Sequence, residues 1–463
     1  FTSCKKTDKC PPWKIKSEKI THDKVAKKIT YTNSWLSIYD IPVVYFPKFF
    51  HPDPSVKRQS GFLNPELGSS TALGDSIYAP YFFVISESKD ITIKPRLFNY
   101  NKFVLQNEYR QITKNSHILA DFSITKGHDS SLNDKKDSRS HFFANSKTNL
   151  NLNKFLKSSI EINYEKTSND NYLKLFNLES PLLIGNTDVL ESRIELDLEH
   201  QDFDFTTTVA MYETLKGSNN DRYQYVLPSY NFTKNFGLEN INGSFNFNST
   251  GNNTLKSTND LSTVATNNLN YESYDYFLEN GIKNKFAILF KNSNTVGKKS
   301  SAYDSHLQSG ITSAYIFNAS LPLIKDTNEN SNLLEPKLSF RFSPHKMKNS
   351  KNSDILIDIN NVFNNDRMGL GDTFEGGESL TLGVDYKLRN IKNVTKDNIR
   401  EIDDFLELKL ATVFRAAEDK NIPIKSTINE KRSNIFGQVN YKPSSLLTLS
   451  YNFSLKKDFG QLE

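Results

Sequence analysis

The feature that most constrains this chain is a period of two. Leu190, Ser192, Ile194, Leu196 and Leu198 alternate with Glu191, Arg193, Glu195, Asp197 and Glu199. An extended backbone therefore carries five successive charges on one face and mostly aliphatic side chains on the other. A helix would spread both classes around its circumference; a strand separates them. The alternation recurs over residues 118–125, 156–164, 203–211, 334–342, 380–388 and 447–455. Such repetition predicts an all-β chain built from many antiparallel strands.

The charged faces need water, and two architectures supply it. In a soluble sandwich they would form the outer surface; in a large transmembrane β-barrel they would line an aqueous lumen, with the aliphatic faces in lipid. The frequency of the pattern favours the barrel. Only 37% of residues are apolar and the mean hydropathy is −0.57, yet the chain holds 33 Phe and 21 Tyr, which a disordered polymer would lack. Its longest apolar runs, residues 41–47 and 78–85, fall far short of the roughly 20 residues a membrane helix requires, whereas a barrel strand needs about 9 to 11. Polar stretches at 127–140, 250–268 and 291–305 read as long loops alternating with tight turns. At roughly 20 residues per strand and connection, the part after residue 55 is expected to hold about 18 to 20 strands. Residues 1–10 lack the apolar core of a signal peptide, so the chain is expected to be an internal fragment of an exported protein rather than a processed form. Residues 455–463 read as a turn, so closure is expected beyond Glu463.

The first 55 residues read differently. Short strands at Trp13–Ile20, Lys28–Trp35 and Leu36–Tyr45 are followed by Pro42, Pro47, Pro52 and Pro54, which confine a segment to edges and connections. A domain boundary is expected near residue 55. Residues 1–58 carry 12 Lys and Arg against 5 Asp and Glu, leaving the remainder near −2. That excess suits an anionic partner such as phosphorylated lipid, and equally a merely solvated face. Cys4 and Cys10 lack the partners of a structural zinc site and read as a small disulfide loop in an oxidising compartment.

Catalytic patterns are weak. Gly369-Leu370-Gly371-Asp372-Thr373-Phe374 has Phe where a dinucleotide fingerprint needs its third Gly, and it lies between strands rather than opening a helix. The eight His are scattered, and His51, His200 and His345 read as structural. Neither an enzyme, a metal, a cofactor nor a nucleic-acid partner is signalled.

One segment is more specific. Cys10-Pro11-Pro12-Trp13 is followed by Ile38-Tyr39-Asp40-Ile41-Pro42-Val43-Val44-Tyr45-Phe46-Pro47 and then by Arg58-Gln59-Ser60-Gly61-Phe62-Leu63-Asn64-Pro65. In this order the motifs resemble the LptD family of lipopolysaccharide-assembly barrels, whose periplasmic jelly-roll ends in a Pro-Val-x-Tyr-x-Pro strand and whose barrel opens with Arg-x-Ser-Gly-Phe-Leu-x-Pro. Weaker matches follow at Glu108-Tyr109-Arg110, Leu227-Pro228-Ser229-Tyr230, Leu334-Glu335-Pro336-Lys337, Asn365-Asp366-Arg367 and Lys431-Arg432-Ser433-Asn434.

The resemblance implies the end of a periplasmic β-jelly-roll over residues 1–55 and the N-terminal majority of an outer-membrane barrel over 56–463. It implies a translocon that takes lipopolysaccharide from a periplasmic bridge, LptA, and inserts it into the outer leaflet, with a plug lipoprotein, LptE, in the lumen. Trp13, Ile15, Ile38, Val43 and Tyr45 would belong to the lipid path of the jelly-roll. Pro65 and Pro80 would be the prolines of a lateral gate. The family's long-range disulfides have no barrel cysteine to use here, so Cys4 and Cys10 pair locally or with residues outside the chain. A diffusion porin or a plugged nutrient-uptake barrel would share the alternation but not the segment from Ile38 to Pro65. A soluble adhesin would put polar residues where this chain puts Leu, Ile and Phe.

Overall fold

A computed structural model describes residues 12–56, 58–70, 73–99, 102–130, 133–183, 188–216, 221–300, 303–327, 329–394, 399–444 and 446–456. Cys4 and Cys10 lie outside the described residues. The strands Trp13–Asp23, Lys28–Ile38 and Ile41–Pro52 form a separate antiparallel sheet. Its third strand begins at Ile41 and not at Leu36 as the sequence suggested. Tyr39 and Asp40 have φ of 44° and 69°, the two positive values of a tight hairpin turn, and Ile38 pairs with Ile41 across it. Neither residue is a glycine, so the turn left little trace in the sequence.

From Gly61 onward the chain is an antiparallel β-barrel fold in which strands pair with their neighbours in sequence. Two compact units are distinguished: Phe1–Thr148 with Ile162–Leu190, and Asn149–Glu161 with Glu191–Glu463. The first unit includes Gly74–Tyr78, Tyr81–Ser86, Lys89–Phe98, Lys102–Ile112 and Ser116–Ser130. The second runs through hairpins such as Gly243–Lys256 with Leu261–Ser273, Lys283–Lys298 with Gln308–Ser320, and Gly377–Val394 with Ile399–Arg415. Among the described residues the barrel order contains 23 strand segments, more than spacing suggested, because several strands are broken into short pieces.

The polar stretches expected to be loops are largely strand. Residues 250–256 and 261–268 pair across a four-residue turn, with Asn252 opposite Val264 and Thr254 opposite Ser262, and residues 291–298 complete the strand Lys283–Lys298. Asn, Ser and Thr there satisfy one another across the ladder, as between Thr263 and Asn253 (2.8 Å). Hydrogen-bonded backbone holds the extension, so no apolar face is needed to specify it.

Burial in these strands is inverted relative to a soluble protein. Ser123, Thr125, Lys291, Ser293, Thr295, Arg341, Ser379 and Thr381 are buried, while Phe122, Ile124, Phe286, Phe290, Phe340, Leu382 and Leu410 are exposed. Alternate residues of the same strands thus hide their polar side chains and present their apolar ones outward. That is the wall of a barrel with lipid outside and water within. Aromatic rings gather beside the short turns of the second unit: Phe155 and Phe203 (6.1 Å between centroids), Phe236 and Phe245 (5.4 Å), Phe245 and Tyr271 (5.0 Å). Such a girdle suits a membrane–water interface.

Candidate functional site

Within the second unit, residues 344–376 leave the wall after Asn330–Ser343 and return to it at Gly377–Val394. They do not stand out into solvent. Met347, Ile357, Ile359, Val362 and Met368 pack with Ala411, Val413, Ile422, Ile428 and Phe436, and Phe374 packs on Ala287, Leu289, Ala314 and Ile316. Because Ala411, Val413, Ala287 and Leu289 alternate with outward Leu410, Phe414, Phe286 and Phe290, this segment lies on the inner face of the wall.

Charges fix it there. Glu375 is 2% exposed and receives two parallel bonds from Arg367, Nε to Oε2 and Nη2 to Oε1, each 2.6 Å, while Arg415 donates from the wall to the same carboxylate. Arg367 also donates to Thr381 (2.9 Å) and Ser379 (3.0 Å), and Arg341 donates to the carbonyls of Asn364 (2.7 Å) and Asn365. Burial on its own would raise the Glu375 pKa, but Arg367 and then Arg341 and Arg415 overcome it and hold the carboxyl at about 2. Lys291 reaches the segment from another strand, lying 3.2 Å from Asp366 and 4.4 Å from the centre of the Phe374 ring. Beside it opens a cleft of about 360 Å³ lined by Ser244, Asn246, Asn270, Glu272 and Lys291. Its other walls are Asn268, Asn365 and Asp366 with Leu289 and Phe374, so amides, a hydroxyl and charges face it alongside two apolar side chains.

In the first unit residues 168–183 play a comparable part. Tyr172 and Phe176 are buried, Phe176 meets Phe98 edge-on (5.9 Å), and Arg96 donates to the carbonyls of Phe176 and Asn177 (both 3.2 Å). Beneath them Ser123 Oγ lies 2.8 Å from Tyr172 Oη and 2.6 Å from His141 Nδ1, with Asp121 3.3 Å from His141 Nε2. The residue types match a hydrolase triad, but Tyr172 occupies the hydroxyl and the cluster is fully buried, so it acts as a clasp. Burial pushes the Tyr172 phenol up to about 12.

The first strands of the barrel carry a defect. Gly61–Phe62 pairs with Tyr81–Ser86, and Glu66–Ser70 with Gly74–Tyr78, but residues 63–65 and 79–80 belong to no strand. Pro65 and Pro80 stand in those two gaps. Leu63 N–H donates to the Pro80 carbonyl (2.9 Å), and proline has no N–H to return the bond.

Comparison with known proteins identifies the architecture. The family model for LptD, LPS transport system D, matches residues 137–463. The chain belongs to the LptD family. The LPS-assembly protein LptD of Psychrobacter arcticus is 27% identical over 433 residues, covering 84% of this chain and 45% of that protein. LptD of Ectopseudomonas mendocina is 34% identical over 116 residues, 25% of this chain and 12% of that protein, and LptD of Pseudomonas aeruginosa strain UCBPP-PA14 is 28% identical over 199 residues, 42% and 20%. The chain spans less than half the length of these curated LptD relatives.

The region matched by the LptD model contains the segment 344–376, and Pro65 and Pro80 lie before it. In the N-terminal sheet, Trp13 pairs with Ile38 and Ile15 with Leu36, so those side chains share a face. Tyr45 pairs with Trp35 (ring centroids 5.0 Å) on the opposite face, and Val43 sits at a register shift between Pro42 and Val44. The structure therefore brings three of the five expected lipid-path residues together and separates the other two. Along Val189–Glu199 the charges meet on one face, Arg193 with Glu161 (3.4 Å) and Glu191 (3.6 Å), Asp197 with Lys157 (2.6 Å), while Ile194 is exposed on the other. The Arg367–Glu375 clamp was not foreseen. Its one trace in the sequence was Asn365-Asp366-Arg367 followed by Gly369 and Gly371.

Proposed function

We propose that this chain is the membrane portion of a lipopolysaccharide translocon in the outer membrane, releasing its cargo sideways into the outer leaflet. Membership of the LptD family supports lipopolysaccharide as the cargo. The inverted wall supports the division of labour: a polar interior hydrates saccharide, and an apolar exterior meets the acyl chains. No nucleophile or metal is required for that passage.

The observation that carries the lateral exit is the break facing Pro65 and Pro80. A lipid with a large headgroup cannot leave a continuously bonded wall, so some strand pair must part. Each proline removes a ladder donor worth about 0.5–1.5 kcal/mol net in water, and more where lipid offers no substitute partner. Residues 12–55 are the end of the periplasmic jelly-roll in this reading, and Trp13, Ile15 and Ile38, which share one face of its sheet, belong to its lipid path. The bridge protein LptA would deliver cargo there and LptE would occupy the lumen.

The test is a strain whose only copy of the full-length protein carries Pro65→Ala with Pro80→Ala. Repaired ladders should slow the appearance of lipopolysaccharide at the surface and weaken the outer-membrane barrier. Normal export and an intact barrier, at normal protein level, would remove the gate assignment.

A further inference from the structure

The second barrel strand is weakened on both of its edges, and a third proline causes the second defect. On one edge Leu63 pairs with Pro80 through a single bond. On the other, the ladder between this second strand, residues 74–86 (Gly74–Tyr78 continued by Tyr81–Ser86), and Lys89–Phe98 stops after the pair Tyr78 with Arg96 and resumes at Tyr81 with Ile93. The pair spanning that gap is Ala79 with Pro95, joined only by Ala79 N–H to the Pro95 carbonyl at 3.3 Å. In an antiparallel pair of this kind the two residues exchange two bonds. Pro95 has no N–H, so the Ala79 carbonyl receives nothing in return.

Ala79 and Pro80 are adjacent, so the two half-made pairs lie at one level, left and right of the same strand. Both flanks of the level are held. On one side Ser76, Ile77 and Tyr78 are laddered to Phe98, Leu97 and Arg96, and Arg96 stacks over the Tyr78 ring (5.1 Å) while anchored to the Phe176 and Asn177 carbonyls. On the other, Tyr81, Phe82 and Phe83 are laddered to Ile93, Thr92 and Ile91. A strand firmly paired above and below a level that is half-paired on both edges bends at that level. Room exists beside it: a cavity of about 240 Å³ lies between Leu67, Ser76, Tyr78, Arg96 and Phe176.

We infer that Pro95 is a third gate residue, a positioning residue that makes Ala79–Pro80 the hinge of the second strand, so that opening bends this strand as well as parting an edge. The inference rests on the gate reading above. Neither strand position nor carbonyl acceptance alone distinguishes Pro95, because Pro336 also accepts from Leu321 N–H (3.1 Å) within a barrel strand. What distinguishes it is the adjacent half-pair at Pro80.

The experiment uses the full-length protein with Pro95→Ala and, as control, Pro336→Ala. Amide exchange of Ala79, measured in purified protein, should slow roughly two- to tenfold in Pro95→Ala, the effect of one added ladder bond, and stay unchanged in Pro336→Ala. Surface arrival of lipopolysaccharide in cells should fall by a similar factor with Pro95→Ala only. Unchanged Ala79 exchange, or equal export loss in both variants, overturns the hinge. If Pro65→Ala with Pro80→Ala exports normally while Pro95→Ala still slows Ala79 exchange, the gate reading fails and the hinge stands as a local property of the strand.

Discussion

Glu375 is the residue on which the inner segment turns. Its carboxylate is shared between Arg367 of the segment and Arg415 of the wall, with Arg341 3.8 Å away, and all four side chains are buried. Removing the acid that these buried arginines share strands their charges, which costs about 3–5 kcal/mol. Glu375→Gln should therefore lower the thermal unfolding transition of the detergent-purified full-length protein. The pH dependence follows from the carboxyl being held at about 2, below the ordinary value near 4.3 for glutamate. A depressed carboxylate contributes its full stabilisation above about pH 5 and loses it as the pH falls toward 2. The gap between wild type and Glu375→Gln should accordingly narrow over that window; a gap that stays constant to pH 2 would contradict the clamp. None of this was legible residue by residue. Arg367 and Glu375 are eight positions apart in a stretch without period, and only the folded segment aligns them with Arg415.

At the scale of elements, the strand pattern was readable wherever one face is apolar and the other polar. Leu447–Leu455 is a strand with the bounds that alternation gave it, and Val189–Glu199 segregates its charges as expected. Reading failed where both faces are polar, as at 250–268, because hydrogen-bonded Asn, Ser and Thr imitate loop composition. The inner segment is also an element, and Gly383 is where the wall admits it. A Cβ at Gly383 would come within 2.6 Å of the Phe363 ring and 2.9 Å of the Leu410 carbonyl. Gly383→Val should displace Phe363 and raise proteolytic cleavage within 344–376 while the strands remain paired; unchanged cleavage would show that the segment does not depend on this contact. In the N-terminal sheet, the register puts Ile15 and Ile38 on one face and Tyr45 on the other. If acyl chains travel along the face of Ile15 and Ile38, photo-crosslinkable residues at those positions should capture lipopolysaccharide and one at Tyr45 should not. Capture at Tyr45 alone would place the path on the opposite face.

For the molecule as a whole, three observations converge: alternation repeated along the chain, burial inverted between its faces, and the family match over residues 137–463. The first was available from the sequence because a membrane wall needs no continuous apolar run. The inner packing was not, because segments such as 344–376 form a local apolar core whose residues follow neither strand nor helix period. The competing account, a diffusion porin or uptake barrel, shares all but the family and the broken first strands. The two accounts separate on what stops first when the protein is withdrawn. The decisive measurement is depletion of the full-length protein from its own cells, following newly made lipopolysaccharide to the outer leaflet alongside uptake of small solutes. The translocon account predicts that lipopolysaccharide arrival fails first, with solute uptake intact; arrival that continues unchanged while solute uptake is lost would contradict it.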